Sequence, residues 1–332
     1  MKNIIKIIAV CILMAVCVTS FAGCKNELDS TDEEKKTVMT VGGYDVPYEL
    51  YRYLVMSYKS ELGDVEITKE VEETVKYNIE CALRDIYAVF AVCAEHGIEM
   101  DDKTVMASVD AELKAYKDSF EDTEAYKAEL EKMYMNNSVY RFMTSKMKFS
   151  DELYYKLIND KTIKSEVKED EFIRIKQVLV FGEGGQTAYD GTYFVAGEEH
   201  TDDEAKAIAE GVYAKAMAGE DFDLLVKEYG EDLYMFNNTD GYYICRGMWE
   251  EDAEAAAFAL EIGEVSEPVK VDAGYSVMLR LDKESAYVEG HADEMAEDFL
   301  AAQFSKILSE KSDSLEIEYK ESFGEISVKD MK

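Results

Sequence analysis

Residue types that often carry metal, phosphate or acyl-transfer chemistry are present in this chain, but not at the spacing such chemistry needs. The three histidines, His96, His200 and His291, are far apart and share no metal-ligand spacing. Residues 182–185 lack the GK[ST] end of a phosphate-binding loop. No Gly-x-Ser-x-Gly motif supplies a hydrolase nucleophile. The sequence therefore predicts no metal site and no bound cofactor.

Segment 222–281 carries a denser set of motifs. In order these are Phe222-x-x-Leu225, Tyr229-Gly-Glu-Asp232, Asp240-Gly241, Arg246-Gly247, Ala257-Phe258-Ala259-Leu260, Gly263-Glu264-x-Ser266-x-Pro268 and Gly274-Tyr275. Their order and spacing resembles the parvulin family of peptidyl-prolyl isomerases. The resemblance implies a small mixed sheet with surrounding helices and a groove that grips a proline ring.

In parvulins two strands each carry an active-site histidine, and this sequence has other residues at both positions. Gln177, at the start of QVLV, replaces the first histidine, and Ser276, directly after Gly274-Tyr275, replaces the second. Asp232 fits the position of the family's Asp or Cys. The resemblance thus implies Gln177, Asp232 and Ser276 as the catalytic positions. It also implies a weak or absent isomerase activity, because neither glutamine nor serine titrates near neutral pH as histidine does.

The resemblance also implies an apolar cup for the proline ring. Relatives place a Met and a Phe soon after Arg-Gly, and counting without gaps from Arg246 puts Trp249 and Ala253 at these positions. Met248, one residue before Trp249, is the alternative for the Met, and Phe258 is the fourth predicted substrate-binding residue. Ala253 removes a ring from the cup, and Trp249 offers one to refill it.

Charge and composition narrow the classes of partner. The chain has 332 residues, 47% of them hydrophobic, which suffices for two or three domains with buried cores. Its formal net charge of −35 repels nucleic acid and anionic lipid headgroups. The sequence therefore predicts no nucleic-acid partner. The charge favours solubility, and a preference for basic client proteins is the alternative.

The amino terminus predicts a signal peptide over residues 1–23. Its apolar run, residues 7–18, is shorter than the ~20 residues that a membrane-spanning helix needs. Phe21-Ala22-Gly23-Cys24 resembles a bacterial lipobox, with Phe21 where leucine is usual. We therefore expect lipidation of Cys24 and an extracytoplasmic protein that is lipid-anchored to the outer face of the plasma membrane. An ordinary secretory signal and an uncleaved anchor helix are the alternatives.

Periodicity and composition predict an α+β protein. A polar tether over 24–36 precedes a mostly helical domain over 37–164, which resembles the chaperone domain of SurA-like and PrsA-like foldases. A parvulin-like domain over 165–285 follows, and a helix and strand over 286–332 come after it. The resemblance to PrsA-like foldases implies that this last segment packs back on the amino-terminal domain. The spacing of apolar residues predicts these elements: helices over 68–95, 202–218, 222–229 and 291–312, and strands over 37–41, 171–181, 265–271, 275–281, 314–320 and 324–328.

Together these features predict a membrane-anchored extracytoplasmic foldase. Its partners would be unfolded or partly folded exported proteins, bound at proline-containing segments, and its parvulin-type active site would be degenerate. A catalytically inactive parvulin-like chaperone or scaffold is the alternative. A solute-binding or adhesive lipoprotein is a third class, although the sequence shows no paired α/β lobes.

Overall fold

The computed structural model describes residues 37–63, 65–164, 168–183, 200–237 and 240–331. Within them the chain forms two compact units. We call residues 163–306 the sheet unit, and residues 37–162 with 307–331 the helical unit. The predicted signal peptide, the tether and Cys24 lie outside the described residues. In the described ranges no helix is both long enough and apolar enough to cross a bilayer.

The helical unit opens with a hairpin and continues as a series of helices. Its elements up to residue 159 are β1 (Thr37–Val41), β2 (Tyr44–Pro47), α1 (Tyr48–Leu62), α2 (Lys69–Glu95), α3 (Lys103–Asp118), α4 (Thr123–Lys132) and α5 (Asn137–Asn159). Helix α2 confirms the helix predicted over 68–95. Its buried residues recur every three or four positions in the first half and are continuous from Ile86 to Cys93. The Thr68 side chain caps the first turn by accepting a hydrogen bond from the Val71 N–H at 3.3 Å.

The sheet unit alternates strands and helices. Its elements are β3 (Phe172–Phe181), α6 (Asp202–Met217), α7 (Phe222–Tyr229), α8 (Leu233–Asn237), β4 (Tyr242–Cys245), α9 (Glu251–Ala259), β5 (Val269–Val271), β6 (Gly274–Leu281), α10 (Ser285–Gly290) and the first part of α11 (Ala292–Ser314). Helix and strand content of both units confirms the predicted α+β class.

The strands of the sheet unit lie in the order β4-β3-β6-β5, and every neighbouring pair is antiparallel. Among the described residues, therefore, the sheet is antiparallel, and the prediction of a mixed sheet is wrong. Sequence periodicity locates a strand but not the direction of its partner. In addition, β4 is only four residues long, and its pattern did not predict it.

Side chains alternate along the strands, so the sheet has two different faces. We call the face that packs against α9 the α9 face; its buried cluster consists of Ile173, Ile175, Ile244, Ala257 and Met278. The opposite face, the α6 face, packs against α6, α7 and the first part of α11. Its buried strand residues are Phe172, Val178, Val180, Tyr243, Cys245 and Val277.

The predicted carboxy-terminal segment 286–332 divides between the two units. Residues 286–306 belong to the sheet unit, where Met295, Phe299 and Ala302 pack against the α6 face. The prediction that the whole segment packs on the amino-terminal domain is therefore wrong for 286–306. The periodicity of a helix shows which side chains are buried, but not which element buries them. The other domain boundaries stay predictions.

From residue 307 the chain completes the helical unit. Strand β7 (Ile317–Tyr319) pairs antiparallel with β1, giving the order β2-β1-β7. It is shorter than the predicted strand over 314–320, and a 3-10 helix (Glu321–Glu325) lies where the next strand was expected to begin. The Lys59 ammonium fixes the end of the chain by donating hydrogen bonds to backbone carbonyls of Val328, Lys329 and Met331 at 3.0, 3.2 and 2.8 Å.

Candidate functional site

The structure brings together the three polar residues predicted as catalytic positions. The Ser276 hydroxyl donates a hydrogen bond to Gln177 Oε1 at 2.8 Å, and Gln177 Nε2 donates one to Asp232 Oδ2 at 2.8 Å. An ionised carboxylate only accepts hydrogen bonds, so the amide nitrogen of Gln177 must face Asp232 and its oxygen must face Ser276. Ser276, Gln177 and Asp232, from three separate segments, are thus linked by consecutive hydrogen bonds, and we call this set of residues the polar chain.

The register of β3 with β6 places Gln177 and Ser276 on the α9 face. The two residues are diagonal neighbours across the antiparallel pair, within reach of a direct side-chain contact. Gly274 makes this register possible. Its φ is 155°, and a Cβ atom there would collide with the backbone carbonyl of Val180 on the partner strand. The Gly274-Tyr275 motif therefore has a structural reason in this chain.

Asp232 is the acceptor on which the polar chain converges. It precedes α8, and its Oδ1 accepts hydrogen bonds from the backbone N–H groups of Tyr234 at 3.0 Å and Met235 at 3.3 Å. Its Oδ2 accepts from Gln177 and from the Tyr242 hydroxyl at 2.7 Å. The residue is only 6% exposed. Four donors thus stabilise a carboxylate that is largely removed from water.

Tyr242 also belongs to the polar chain, but the sequence analysis did not predict it. It begins β4, directly after the Asp240-Gly241 turn, and that place within the motif was the available signal. Burial, and then the charge of Asp232, raise the pKa of its hydroxyl above the ordinary value, while a hydrogen bond with Gln177 acts in the opposite direction. The hydroxyl therefore stays protonated and remains a donor at neutral pH.

Two aromatic rings predicted for the proline cup pack on the α9 face. Trp249 and Phe258 are partly buried and pack against the cluster of the α9 face. The Trp249 ring meets the Tyr242 ring edge-on, with centroids 5.4 Å apart and an interplanar angle of 79°. The Arg246 guanidinium lies 4.1 Å from the centroid of the Phe258 ring. The side chain of Arg246 also pairs with Glu254 at 3.6 Å.

The other two residues predicted for the cup are in different settings. Met248 is 38% exposed, and its sulfur accepts a hydrogen bond from the Cys245 N–H at 3.2 Å. Ala253 lies on α9, is 4% exposed and contributes no ring. Trp249 and Phe258 are therefore the predicted cup residues that the structure places against the α9 face, and the roles of all four stay predictions.

The three histidines occupy separate settings. His96 ends α2, His200 Nε2 lies 3.6 Å from Glu231 Oε1, and the His291 ring stacks on Tyr287 with centroids 3.9 Å apart. Among the described residues no group of three or more His, Cys, Asp and Glu side chains is arranged to hold a metal ion.

Fixed hydrogen-bonding groups beside partly exposed rings suit a reaction without bond making. Rotation about a peptide bond has a barrier of ~18–20 kcal/mol and needs no nucleophile. What it needs is an apolar surface to hold the substrate and preorganised polar groups to stabilise the twisted amide. The polar chain offers such groups, and Trp249 and Phe258 offer the apolar surface.

One family model matches the segment that contains most residues of this site. Residues 194–283 match the family model described as a rotamase, the PPIC-type PPIase domain. The matched range includes Asp232, Trp249 and Ser276 and begins after Gln177.

Curated relatives and solved structures are similar to parts of the chain of different lengths. The foldase protein PrsA of Bacillus subtilis is 28% identical over 138 residues, 41% of this chain and 44% of the relative. The foldase protein PrsA of Geobacillus kaustophilus is 43% identical over 77 residues, 23% of this chain and 27% of the relative. The chain thus spans less than half the length of these curated relatives. A crystal structure of the peptidylprolyl isomerase PrsA from Bacillus anthracis covers 69% of this chain and 95% of its own, at 18% identity and a TM-score of 0.38.

A parvulin-type domain model over the site and similarity to several PrsA foldases agree with the motifs of segment 222–281. The predicted resemblance to parvulin-type peptidyl-prolyl isomerases and PrsA-like foldases is therefore confirmed.

Proposed function

We propose that this protein is an extracytoplasmic foldase whose parvulin-like sheet unit binds proline-containing segments of unfolded or partly folded exported proteins. The observation that carries the proposal is the polar chain of Ser276, Gln177 and Asp232 on the same face of the sheet against which the rings of Trp249 and Phe258 pack. These residues come from four parts of the sequence, and the fold gathers them on one face of one sheet.

The proposed site is degenerate and acts by positioning. The rings of Trp249 and Phe258 receive the proline and remove water from its amide bond, which strengthens nearby electrostatic interactions. Gln177 and Ser276 supply fixed dipoles where the family has histidines. Neither residue titrates near neutral pH, so we expect slow isomerisation whose rate is independent of pH between about 5 and 8.

The anchoring of the protein is a separate part of the proposal. We expect a lipid on Cys24 to hold the chain at the outer face of the plasma membrane, where exported proteins emerge unfolded. The lipobox-like sequence before Cys24 supports this, as does the apolar run over 7–18. Replacing Cys24→Ala should move the protein from the membrane fraction to the medium. Retention of that variant in the membrane would contradict lipid anchoring.

A second candidate function is a chaperone or scaffold without catalysis. The residues that favour it are Gln177, Ser276 and Ala253, since each stands where the family carries a catalytic histidine or a ring of the proline cup. Such a protein would bind the same segments but leave the rate of isomerisation unchanged.

A protease-coupled assay on a proline peptide separates the two candidates. A foldase should accelerate isomerisation, and Trp249→Ala should weaken peptide binding about 10-fold or more, because buried rings dominate affinity at such sites. Leu224→Ala is the matched control: Leu224 is 62% exposed on α7, at the α6 face, and its loss should change nothing. No acceleration by the wild type, with binding intact, would favour the scaffold.

The double variant Gln177→His with Ser276→His tests whether the site descends from an active one. A rise in rate that also follows a titration near pH 6.5 would show that the rest of the site still supports catalysis. Peptide binding without any gain in rate would show that the geometry around these positions no longer supports it.

A further inference from the structure

Tyr242 occupies a place in the site to which the motifs assign no role. Its hydroxyl donates to Asp232 Oδ2 at 2.7 Å, and the same oxygen accepts from Gln177 Nε2 at 2.8 Å. Two donors converging on one oxygen restrict where the carboxylate can lie. The orientation of Gln177 follows from that carboxylate, and the hydroxyl of Ser276 donates to Gln177 in turn. Tyr242 is thus the far end of the polar chain.

The ring of Tyr242 serves the apolar part of the same site. It stacks on Tyr234, with centroids 4.5 Å apart and planes inclined by 21°, and it also meets the Trp249 ring edge-on at 5.4 Å. Aromatic pairs at these distances and angles are favourable beyond the area they bury. One side chain therefore touches both halves of the site, the polar chain through its hydroxyl and the proline cup through its ring.

The ionisation of Tyr242 agrees with this arrangement. Burial and the adjacent charge of Asp232 raise the pKa of the hydroxyl, so it keeps its proton and keeps donating well above neutral pH. A donor that does not titrate keeps Asp232 and Gln177 in the same geometry across the physiological range.

We propose that Tyr242 is the positioning residue of the site, which fixes Asp232 and Gln177 for the amide of the substrate while it supports Trp249 against the proline ring. The proposal rests on the proposed function, and it adds a residue at which the two requirements of that function meet. Tyr242 acts through Asp232, Gln177 and Trp249 and need not touch the substrate.

Tyr242→Phe is the decisive variant, because it removes the hydroxyl and keeps the ring. Tyr243→Phe is its matched control, since Tyr243 is the next residue of β4 and faces the opposite side of the sheet. This variant also loses one hydrogen bond of a hydroxyl, the one that the Glu284 N–H donates at 3.0 Å. For Tyr242→Phe we expect kcat to fall about 3- to 10-fold, the loss of one net hydrogen bond, with KM unchanged within about twofold. Tyr243→Phe should leave kcat and KM unchanged.

Trp249 is the only tryptophan in the chain, so its fluorescence reports on this site alone. Tyr242→Leu removes the ring and should shift the emission of Trp249 to longer wavelength and raise KM or the peptide Kd. Tyr242→Phe should leave the emission unchanged. Equal loss of kcat in Tyr242→Phe and Tyr243→Phe would overturn the proposal, as would an unshifted Trp249 emission in a folded Tyr242→Leu protein.

A wild type that neither isomerises nor binds the peptide would refute the proposed function, and the role of Tyr242 would still be decided. The side-chain amide signals of Gln177 in a ¹H–¹⁵N spectrum, assigned by their loss in Gln177→Met, report the position of that amide directly. They should shift in Tyr242→Phe and stay in place in Tyr243→Phe. Unshifted Gln177 signals in Tyr242→Phe would show that the hydroxyl positions nothing.

Discussion

Tyr242 and Tyr243 are adjacent on β4, so their side chains lie on opposite faces of one sheet. Tyr242 is partly buried on the α9 face, where its hydroxyl donates to a carboxylate and its ring borders Trp249. Tyr243 is 8% exposed on the α6 face, where its ring stacks on Tyr287 at 4.1 Å and its hydroxyl accepts from a backbone N–H. The same residue type thus has two different surroundings one position apart.

The difference extends to the whole of each face. The α6 face is covered by α6, α7 and the first part of α11, and its strand residues are packed into two clusters. Among the described residues, the α9 face packs against the short helix α9, borders Tyr234 of α8, and carries both the polar chain and partly exposed rings. Burial on one face stabilises the unit, so the other face can hold polar groups and rings that contribute less to stability.

The largest effect we expect comes from the α6 face. Phe172 is buried there and packs its ring near Phe299, with centroids 6.3 Å apart. Phe172→Ala should lower the free energy of unfolding by about 3–5 kcal/mol, because it leaves a cavity as well as losing apolar burial. Urea unfolding, followed by a spectroscopic signal from the sheet unit, measures this loss of stability. Phe258→Ala, from the α9 face, is the comparison: it should cost less stability but weaken peptide binding more.

A second, smaller loss of stability should come from Asp232. Asp232→Ala leaves the Gln177 amide, the Tyr242 hydroxyl and two backbone N–H groups without their acceptor. We expect a loss of about 2–4 kcal/mol, because buried donors without partners are costly. Chemical denaturation gives this value, and Asp232→Asn, which keeps one acceptor oxygen, should lose less. A variant as stable as the wild type would mean that the polar chain does not hold the α9 face together.

Sequence patterns predicted the elements of the sheet unit better than their partners. The helix expected over 222–229 has these bounds in the structure, because its apolar spacing is set by its own packing on the α6 face. Strand β3 and helix α6 agree with their predictions to within one residue at either end. Pairing direction and the neighbours of α11 could not be predicted, since both depend on contacts between distant segments.

The site shows the same limit. Gln177, Asp232 and Ser276 were predicted through a family resemblance, and the structure joins them by hydrogen bonds. Tyr242 was not predicted: its place after the Asp240-Gly241 turn was the available signal, but that place does not show that its hydroxyl meets a carboxylate ten residues earlier. That contact exists only after α8 and β4 have folded around Asp232.

The free energy of unfolding should depend on Tyr242 at alkaline pH, because the pKa of its hydroxyl is raised in the folded protein. The unfolded chain loses this proton near pH 10 and the folded protein holds it, so the stability due to Tyr242 is complete below about pH 10 and declines as pH rises above it. Unfolding free energies should therefore fall more steeply with pH in the wild type than in Tyr242→Phe, by up to about 1.4 kcal/mol per pH unit. Other tyrosines titrate in both proteins and cancel in the difference. Parallel curves between about pH 9.5 and 11.5 would contradict the burial of this hydroxyl.

The smallest effect should come from exposed cations that lie over a ring on each face. Arg246 lies over Phe258 and pairs with Glu254 on the α9 face. Lys270 is its counterpart: it lies 5.0 Å from the centroid of the Tyr275 ring and pairs with Asp202 at 3.1 Å.

Each of Arg246→Ala and Lys270→Ala should change the free energy of unfolding by no more than about 1 kcal/mol, because both cations are largely exposed and screened. The faces should differ in function instead. Arg246→Ala leaves the Phe258 ring less well ordered, so we expect the peptide Kd to rise about twofold, which corresponds to roughly 0.4 kcal/mol. Lys270→Ala should leave the Kd unchanged. Titration of Trp249 fluorescence with the peptide measures both values. An equal change in the two variants would mean that long-range charge, and not the order of the Phe258 ring, governs binding at the α9 face.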